Sequence, residues 1–191
     1  MRAREDRGAA MSVVAPPREH GYGLSDAPDW RAVSWEAHQR TIDIAGSGIR
    51  YVDYGSGDGP PVVFVHGIVG CWEHWLENLA PIACHRRVVA FDLPGFGEST
   101  MPSEPIGIGF YARVAGELCE RLGLGRVVVV GNSLGGAVAA DTAALFGDRV
   151  ERLVLVSAGG DLEQRPASLR RCRARVRGAA VATARRVARA G

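Results

Sequence analysis

The sequence of 191 residues lacks the features that mark membrane and secreted proteins. No apolar run approaches the roughly 18 residues that a membrane-spanning helix needs. The first ten residues, MRAREDRGAA, carry charges of both signs and no apolar stretch of the kind found in signal peptides. We therefore expect a cytoplasmic protein without a membrane partner.

Cysteine is scarce, and no motif for a metal or a nucleotide is present. The four cysteines include no C-x-x-C pair, which argues against a disulfide framework and a zinc site, and we expect them to be small buried hydrophobes. The glycine-rich segments lack the lysine of a phosphate-binding P-loop and the G-x-G-x-x-G spacing of a dinucleotide fold. The expectation is no cofactor and no metal.

Lysine is absent altogether, and the arginines are unevenly distributed. Residues 1–164 contain 14 arginines and 21 acidic residues, a net charge of −7, whereas residues 165–191 contain nine arginines and no acidic residue, a net charge of +9. Apolar residues at spacings of three and four in this last segment are typical of a basic amphipathic helix, although Gly178 weakens it. Binding of nucleic acid or of acidic membranes through such a helix is one alternative function. The segment has no aromatic residue for base stacking, so no nucleic-acid partner is expected.

Composition and patterning divide the chain into three parts. Residues 1–38 are rich in proline, glycine and charge, which predicts a flexible N-terminal extension. Residues 39–160 hold the apolar runs of a folded domain. Residues 161–191 form the Arg/Ala-rich tail, which is either a basic helix or a segment read out of frame relative to an ancestral gene.

Short apolar runs alternate with helical stretches through the middle part. TIDIA and IRYVDY, joined by GSG, predict a β-hairpin. The later runs VVFVHG, RVVAFDLPG, RVVVVG and RVERLVLVSAGG contain almost nothing polar, as in strands covered on both faces. Helical stretches are expected at 72–83, at 110–122 and from Ser133 onward. The alternation predicts an α/β domain with a mostly parallel, doubly wound sheet.

A serine stands where one of these strands meets its helix, within the segment GNSLG that begins at Gly131. The spacing fits the G-x-S-x-G turn that holds a nucleophile in a strained backbone conformation. Glycines on either side avoid collisions where strand and helix cross closely. We expect Ser133 to be exposed at the carboxyl edge of the sheet, where the N–H of Leu134 can donate to an oxyanion.

Three motifs in the same order carry a resemblance to a known family. VVFVHG, FDLPGFGES and VVGNSLGG are similar to the third strand with its HG turn, the D-x-P-G-x-G-x-S loop and the nucleophile elbow of the α/β-hydrolase fold. The segment of about 40–160 resembles the first half of that fold, so the sheet is expected to be truncated after about its sixth strand. The resemblance implies that Ser133 is the nucleophile and that Leu134, with Gly67 or Ile68, supplies the oxyanion-hole N–H groups.

The triad of this family runs serine, then acid, then histidine, and the histidine is missing here. All five histidines precede Ser133. His66 belongs to the HG turn and is expected to shape the oxyanion loop. Asp161, which follows the last predicted strand, is a candidate triad acid, with a solvated loop aspartate as the alternative. Asp92 is expected to hydrogen-bond its own turn.

The resemblance therefore implies a serine hydrolase acting on carboxylic esters or on carbon–carbon bonds beside a ketone, with a small hydrophobic acyl or ester substrate. Without a base the chain is expected to be weakly active or inactive alone. One alternative is a non-catalytic relic that binds an acyl ligand, and another is that a second chain supplies the missing strands and histidine. The strand near 153–157 would leave an apolar sheet edge through which the chain self-associates.

Overall fold

The computed structural model describes residues 29–159, which form one six-stranded sheet with helices on both faces. The strands are β1 (Gln39–Ile44), β2 (Ser47–Tyr54), β3 (Val62–Val65), β4 (Val88–Phe91), β5 (Val127–Asn132) and β6 (Val150–Val156). Their order across the sheet is β1-β2-β4-β3-β5-β6. β1 pairs antiparallel with β2, and β2 with β4, whereas β4, β3, β5 and β6 run parallel. The predicted α/β class with a mostly parallel sheet is confirmed.

The helices follow the strands as the alternation predicts. They are α1 (Leu76–Ala83), α2 (Ile108–Arg121) and α3 (Leu134–Leu145). A 3-10 turn at Trp72–Trp75 leads into α1, so the first four residues of the stretch expected at 72–83 are wound more tightly than an α-helix. Short 3-10 turns also occur at Trp30–Ala32 and Trp35–His38.

Two apolar cores lie on opposite faces of the sheet. Every residue of β3 and β4 is buried, which explains why these strands show no alternation of apolar and polar residues. On one face Leu118 of α2 and Val138 of α3 belong to the same core as Leu153 of β6. On the other face Leu79 of α1 packs with Phe64. The sheet is therefore doubly wound, and its carboxyl edge is left to the loops.

Residues just before β1 pack on the domain. Trp35 stacks edge-on against Tyr54 and lies 6.0 Å from the Trp72 ring centroid. Its indole N–H donates to the Trp30 carbonyl oxygen at 2.7 Å. Described residues of the predicted extension 1–38 thus contact the sheet, while residues 1–28 lie outside the described part. The boundary at residue 38 stays a prediction.

β6 lies at one edge of the sheet in the part of the chain that the structure describes. Val156 near its end is 42% exposed, and Val128 and Val154 on the same face are only partly buried. This is the edge at which the sequence predicts self-association. The predicted tail 161–191 lies outside the described residues.

The cysteines and the helices bear on what the composition predicts. Cys119 is buried as expected, but Cys84 is exposed, so the expectation that all the cysteines are buried hydrophobes is wrong for Cys84. No helix within residues 29–159 combines the length and the apolar character needed to cross a membrane.

Candidate active site

Ser133 occupies the sharp turn between β5 and α3. Its backbone has φ 53° and ψ −117°, an unfavourable conformation for a residue with a side chain. Backbone hydrogen bonds hold it there: its N–H donates to Val156 at 3.0 Å, and its carbonyl oxygen accepts from Gly159 at 2.7 Å and from Gly136 at 3.0 Å. The end of β6 therefore fixes the strained residue, as expected for strain retained at a functional position.

The glycines around Ser133 are required by close backbone approach. A β-carbon on Gly131 would overlap the carbonyl group of Gly135, where strand and helix cross as the sequence predicts. A β-carbon on Gly135 would instead overlap the carbonyl oxygens of Val65 and His66. The start of α3 is thus packed against the end of the neighbouring strand β3, a contact that the local sequence does not reveal.

The hydroxyl of Ser133 lies beside the turn that follows β3. A β-carbon placed on Gly67 would be 3.1 Å from the β-carbon of Ser133 and 3.8 Å from its Oγ. Ser133 makes no side-chain capping bond to α3 and is half-buried. Leu134 is the first residue of α3, where a backbone N–H has no partner within the helix. Ser133, Leu134 and Gly67 are therefore brought together at the carboxyl edge of the sheet.

His66 is a buried part of that turn, only 1% exposed. Its Nε2 accepts a hydrogen bond from the Leu93 N–H at 2.9 Å, so the proton lies on Nδ1, which donates to the Gly67 carbonyl oxygen at 2.7 Å. Burial lowers the pKa of the ring, and the bond to Gly67 opposes this only in part. With both nitrogens engaged, His66 shapes the loop and has no nitrogen left to accept a proton from Ser133.

The turn itself is tight and carries exposed aliphatic side chains. The Gly67 carbonyl oxygen also accepts from the Gly70 N–H at 3.1 Å, and Val69 has φ 57°. Because C=O and N–H point in opposite directions across a trans peptide bond, anchoring the Gly67 oxygen turns the Ile68 N–H away from His66 and Gly70. Ile68 is 67% exposed and Val69 84%.

Asp92 ties two loops together. It is 1% exposed, and its Oδ2 accepts from the Glu98 N–H at 2.8 Å, within its own turn as the sequence predicts. Its Oδ1 accepts from the Trp72 N–H at 2.7 Å, a contact that no local sequence pattern predicts. Burial raises the pKa of the carboxyl, while the two backbone N–H bonds pull the pKa down.

The remaining histidines lie elsewhere. The ring of His38 packs edge-on against Tyr54 at 4.5 Å, and His74 and His85 are exposed near α1. Across residues 29–159, no histidine is hydrogen-bonded to Ser133. His20 and the candidate acid Asp161 lie outside the described residues. Nor do those residues contain a group of three or more metal-ligating side chains arranged to hold an ion.

Residues 60–189 match the family model described as alpha/beta hydrolase fold. This range covers more than half of the chain and includes the three motifs around Ser133. The protein belongs to the α/β hydrolase fold family.

The chain is also similar to individual proteins, several of which are named as hydrolases. Over 118 residues the chain is 34% identical to the dihydrolipoyllysine-residue acetyltransferase component of the acetoin cleaving system of Pseudomonas putida, covering 62% of this chain and 32% of the relative. It is 40% identical over 125 residues to 2-hydroxy-6-oxo-2,4-heptadienoate hydrolase of Pseudomonas putida, covering 61% of this chain and 44% of the relative. A crystal structure of a bacterial membrane phospholipase A superposes with a TM-score of 0.61 at 31% identity, covering 64% of this chain and 40% of that one.

The chain spans about a third to under a half of the length of these relatives. The family match continues to residue 189 and so enters the segment assigned to the Arg/Ala-rich tail. The division at residue 160 stays a prediction.

Proposed function

We propose that this chain carries the nucleophile and the oxyanion hole of a serine hydrolase. The observation that carries the proposal is Ser133, held at φ 53° between strand and helix with its Oγ beside the Gly67 turn. An unfavourable backbone conformation that the surrounding structure maintains is typical of functional positions, and this supports Ser133 as a nucleophile.

In the proposed step, Ser133 Oγ forms a bond to the carbonyl carbon of the substrate and loses its proton. The electron pair of the C=O bond moves to the oxygen, and the N–H groups of Leu134 and Ile68 donate to that oxyanion. When the carbonyl re-forms, the bond to the leaving alcohol or carbon breaks and the leaving group takes up a proton. Water then releases the acid from Ser133 by the same steps.

The base that accepts the serine proton is not provided by His66, whose two nitrogens are occupied. We infer that the full reaction needs a histidine from outside residues 29–159, such as one supplied by another chain, with Asp161 as the candidate acid. Without that base, binding and the oxyanion hole would leave a residual acceleration of about 10³- to 10⁴-fold over water. We therefore propose that this chain alone is weakly active.

The proposed substrate is a small hydrophobic ester, or a ketone cleaved at an adjacent carbon–carbon bond. Two relatives at 40% and 34% identity are named as 2-hydroxy-6-oxo-2,4-heptadienoate hydrolase and 2-hydroxymuconate semialdehyde hydrolase, which supports the second type. Exposed Ile68 and Val69, in the turn beside Ser133 Oγ, offer apolar surface to an acyl group. No cofactor enters this chemistry.

The test is hydrolysis of p-nitrophenyl butyrate by the purified chain, by Ser133→Ala and by Ser103→Ala. Ser103 is an exposed loop serine and serves as the matched control. We expect weak hydrolysis by the wild type and by Ser103→Ala, and slower hydrolysis by Ser133→Ala, which keeps only the acceleration from binding and the oxyanion hole. Equal rates for the wild type and Ser133→Ala would contradict a nucleophilic Ser133. Butyrate binding without turnover would then favour the non-catalytic, acyl-binding alternative.

A further inference from the structure

The two loops that follow β3 and β4 are joined by buried polar contacts. The first loop contains the oxyanion turn 67–70 and ends at Trp72; the second begins at Asp92. Two bonds cross between them: Leu93 N–H to His66 Nε2 at 2.9 Å and Trp72 N–H to Asp92 Oδ1 at 2.7 Å. One bond holds the residue before the turn, and the other holds a residue just after it.

The carboxylate of Asp92 is divided between the loops. Oδ1 accepts from Trp72 in the first loop, and Oδ2 accepts from Glu98 in the second at 2.8 Å. Gly97, at φ 52°, leaves the carboxylate its space, because a β-carbon there would overlap it. Bonds from N–H groups to a buried carboxylate are among the stronger hydrogen bonds in proteins. The carboxylate of Asp92 therefore links the two loops.

We propose that Asp92 is a positioning residue for the oxyanion hole, acting through Trp72 to keep the turn 67–70 in the conformation that presents the Ile68 N–H. His66 fixes the start of the turn through the Gly67 carbonyl, and Asp92 fixes its end. The effect of Asp92 on catalysis rests on the proposed function, but its effect on the conformation of the turn can be measured without catalysis.

The substitution Asp92→Asn tests the two hydrogen bonds without changing the volume of the side chain. The asparagine carbonyl oxygen can accept one N–H, but its amide nitrogen cannot accept the other. Asp92→Asn therefore leaves either Trp72 or Glu98 unpaired while the packing stays the same size. The matched control is Asp53→Asn, which removes a carboxylate bonded twice to Arg87 at 2.9 and 2.6 Å, away from the oxyanion turn.

The experiment records amide hydrogen exchange and the ¹H–¹⁵N signals of Trp72 and Ile68 in the wild type and both variants. In Asp92→Asn we expect the Trp72 amide to exchange about ten-fold faster and the Ile68 signal to shift or broaden. In Asp53→Asn both amides should match the wild type. The same proteins are assayed on p-nitrophenyl butyrate, where Asp92→Asn should lower kcat by about 10- to 100-fold with an unchanged KM. Asp53→Asn should leave kcat unchanged.

A faster-exchanging Trp72 amide with unchanged Ile68 signals in Asp92→Asn would overturn the proposal, and so would a disturbed Ile68 amide combined with a wild-type kcat. If the wild type shows no activity above Ser133→Ala, the proposed function fails, and the Ile68 amide alone decides whether Asp92 positions the turn. If Asp92→Asn does not fold, or keeps the Trp72 bond and releases Glu98, Gly97→Ala displaces the carboxylate from the other side and should disturb the same two amides. Undisturbed amides in a folded Gly97→Ala would also overturn the proposal.

Discussion

The elbow at Ser133 and the turn 67–70 after β3 are neighbours held by different means. The elbow is fixed by backbone bonds to Val156, Gly159 and Gly136 and by backbone contacts that only glycine permits. The turn has one backbone bond of its own, from Gly70 to Gly67, and is fixed to its surroundings by two buried side chains, His66 and Asp92. The elbow should therefore respond to added volume, whereas the turn should respond to the loss or protonation of a side chain.

The largest effect is expected from adding a methyl group at the elbow. Gly135→Ala would place a β-carbon on the carbonyl oxygens of Val65 and His66, and the backbone cannot move aside cheaply. We expect the free energy of unfolding to fall by about 2–3 kcal/mol. Thermal and urea unfolding would measure it.

The control for that substitution is Gly109→Ala in α2. A β-carbon there meets nothing within 4 Å, so this variant should gain about 0.5–1 kcal/mol from the greater helix preference of alanine. Equal stability of the two variants would show that the elbow tolerates added volume and is not held by close backbone contacts.

The turn should make stability depend on pH through His66. Burial holds the pKa of this histidine below its unfolded value of about 6.5, so the unfolded chain binds more protons between the two values. The bond to Gly67 and the charge of Glu73 oppose the shift, and His74 adds to it. The contribution of His66 to the free energy of unfolding is therefore fully present above about pH 6.5. It is lost as the pH falls through the pKa of the folded state.

Melting temperatures from pH 8 to pH 5 would show this loss. We expect His66→Gln to remove the part of the pH dependence of the melting temperature that His66 causes. The variant should also be less stable at pH 8, because Leu93 N–H loses its acceptor. His74→Gln, at an exposed position, should keep most of the slope. The same slope in His66→Gln and the wild type would assign the pH dependence to other groups.

A smaller effect is expected at the edge strand β6. We propose that the chain self-associates there, since Val156 is exposed at the edge of the described sheet. Val156→Arg should shift light scattering toward the monomer. Leu145→Arg, at another exposed apolar position, should not. A wild type that is monomeric at all concentrations would disprove the proposal.

The smallest effect is expected from the side chain of Ile68. The proposed role belongs to its backbone N–H, and the side chain is mostly exposed. Ile68→Ala should change the free energy of unfolding by less than about 0.5 kcal/mol. It should change kcat on p-nitrophenyl butyrate by no more than a few-fold. A loss as large as that expected for Asp92→Asn would mean that the side chain, and not the turn, sets activity.

The order of strands and helices could be predicted because each is encoded locally. Apolar runs mark β3 to β6, and Gly131 with Ser133 marks the elbow. β6 begins at Val150, before the predicted 153–157, because its alternating residues face one covered and one partly exposed side. The Asp92–Trp72 bond joins residues 20 apart, which only the pairing of β4 with β3 brings together. The contact of Gly135 with Val65 depends on sheet order in the same way.

The most direct test of a nucleophilic Ser133 is to locate the acyl group after reaction with p-nitrophenyl butyrate. Protein quenched in acid during the first turnover would be digested and its peptides analysed by mass spectrometry. We predict one butyryl group, on the peptide containing Ser133, absent from Ser133→Ala and present in Ser103→Ala. A butyryl group on another residue, or an unmodified Ser133 while p-nitrophenol is released, would contradict the assignment.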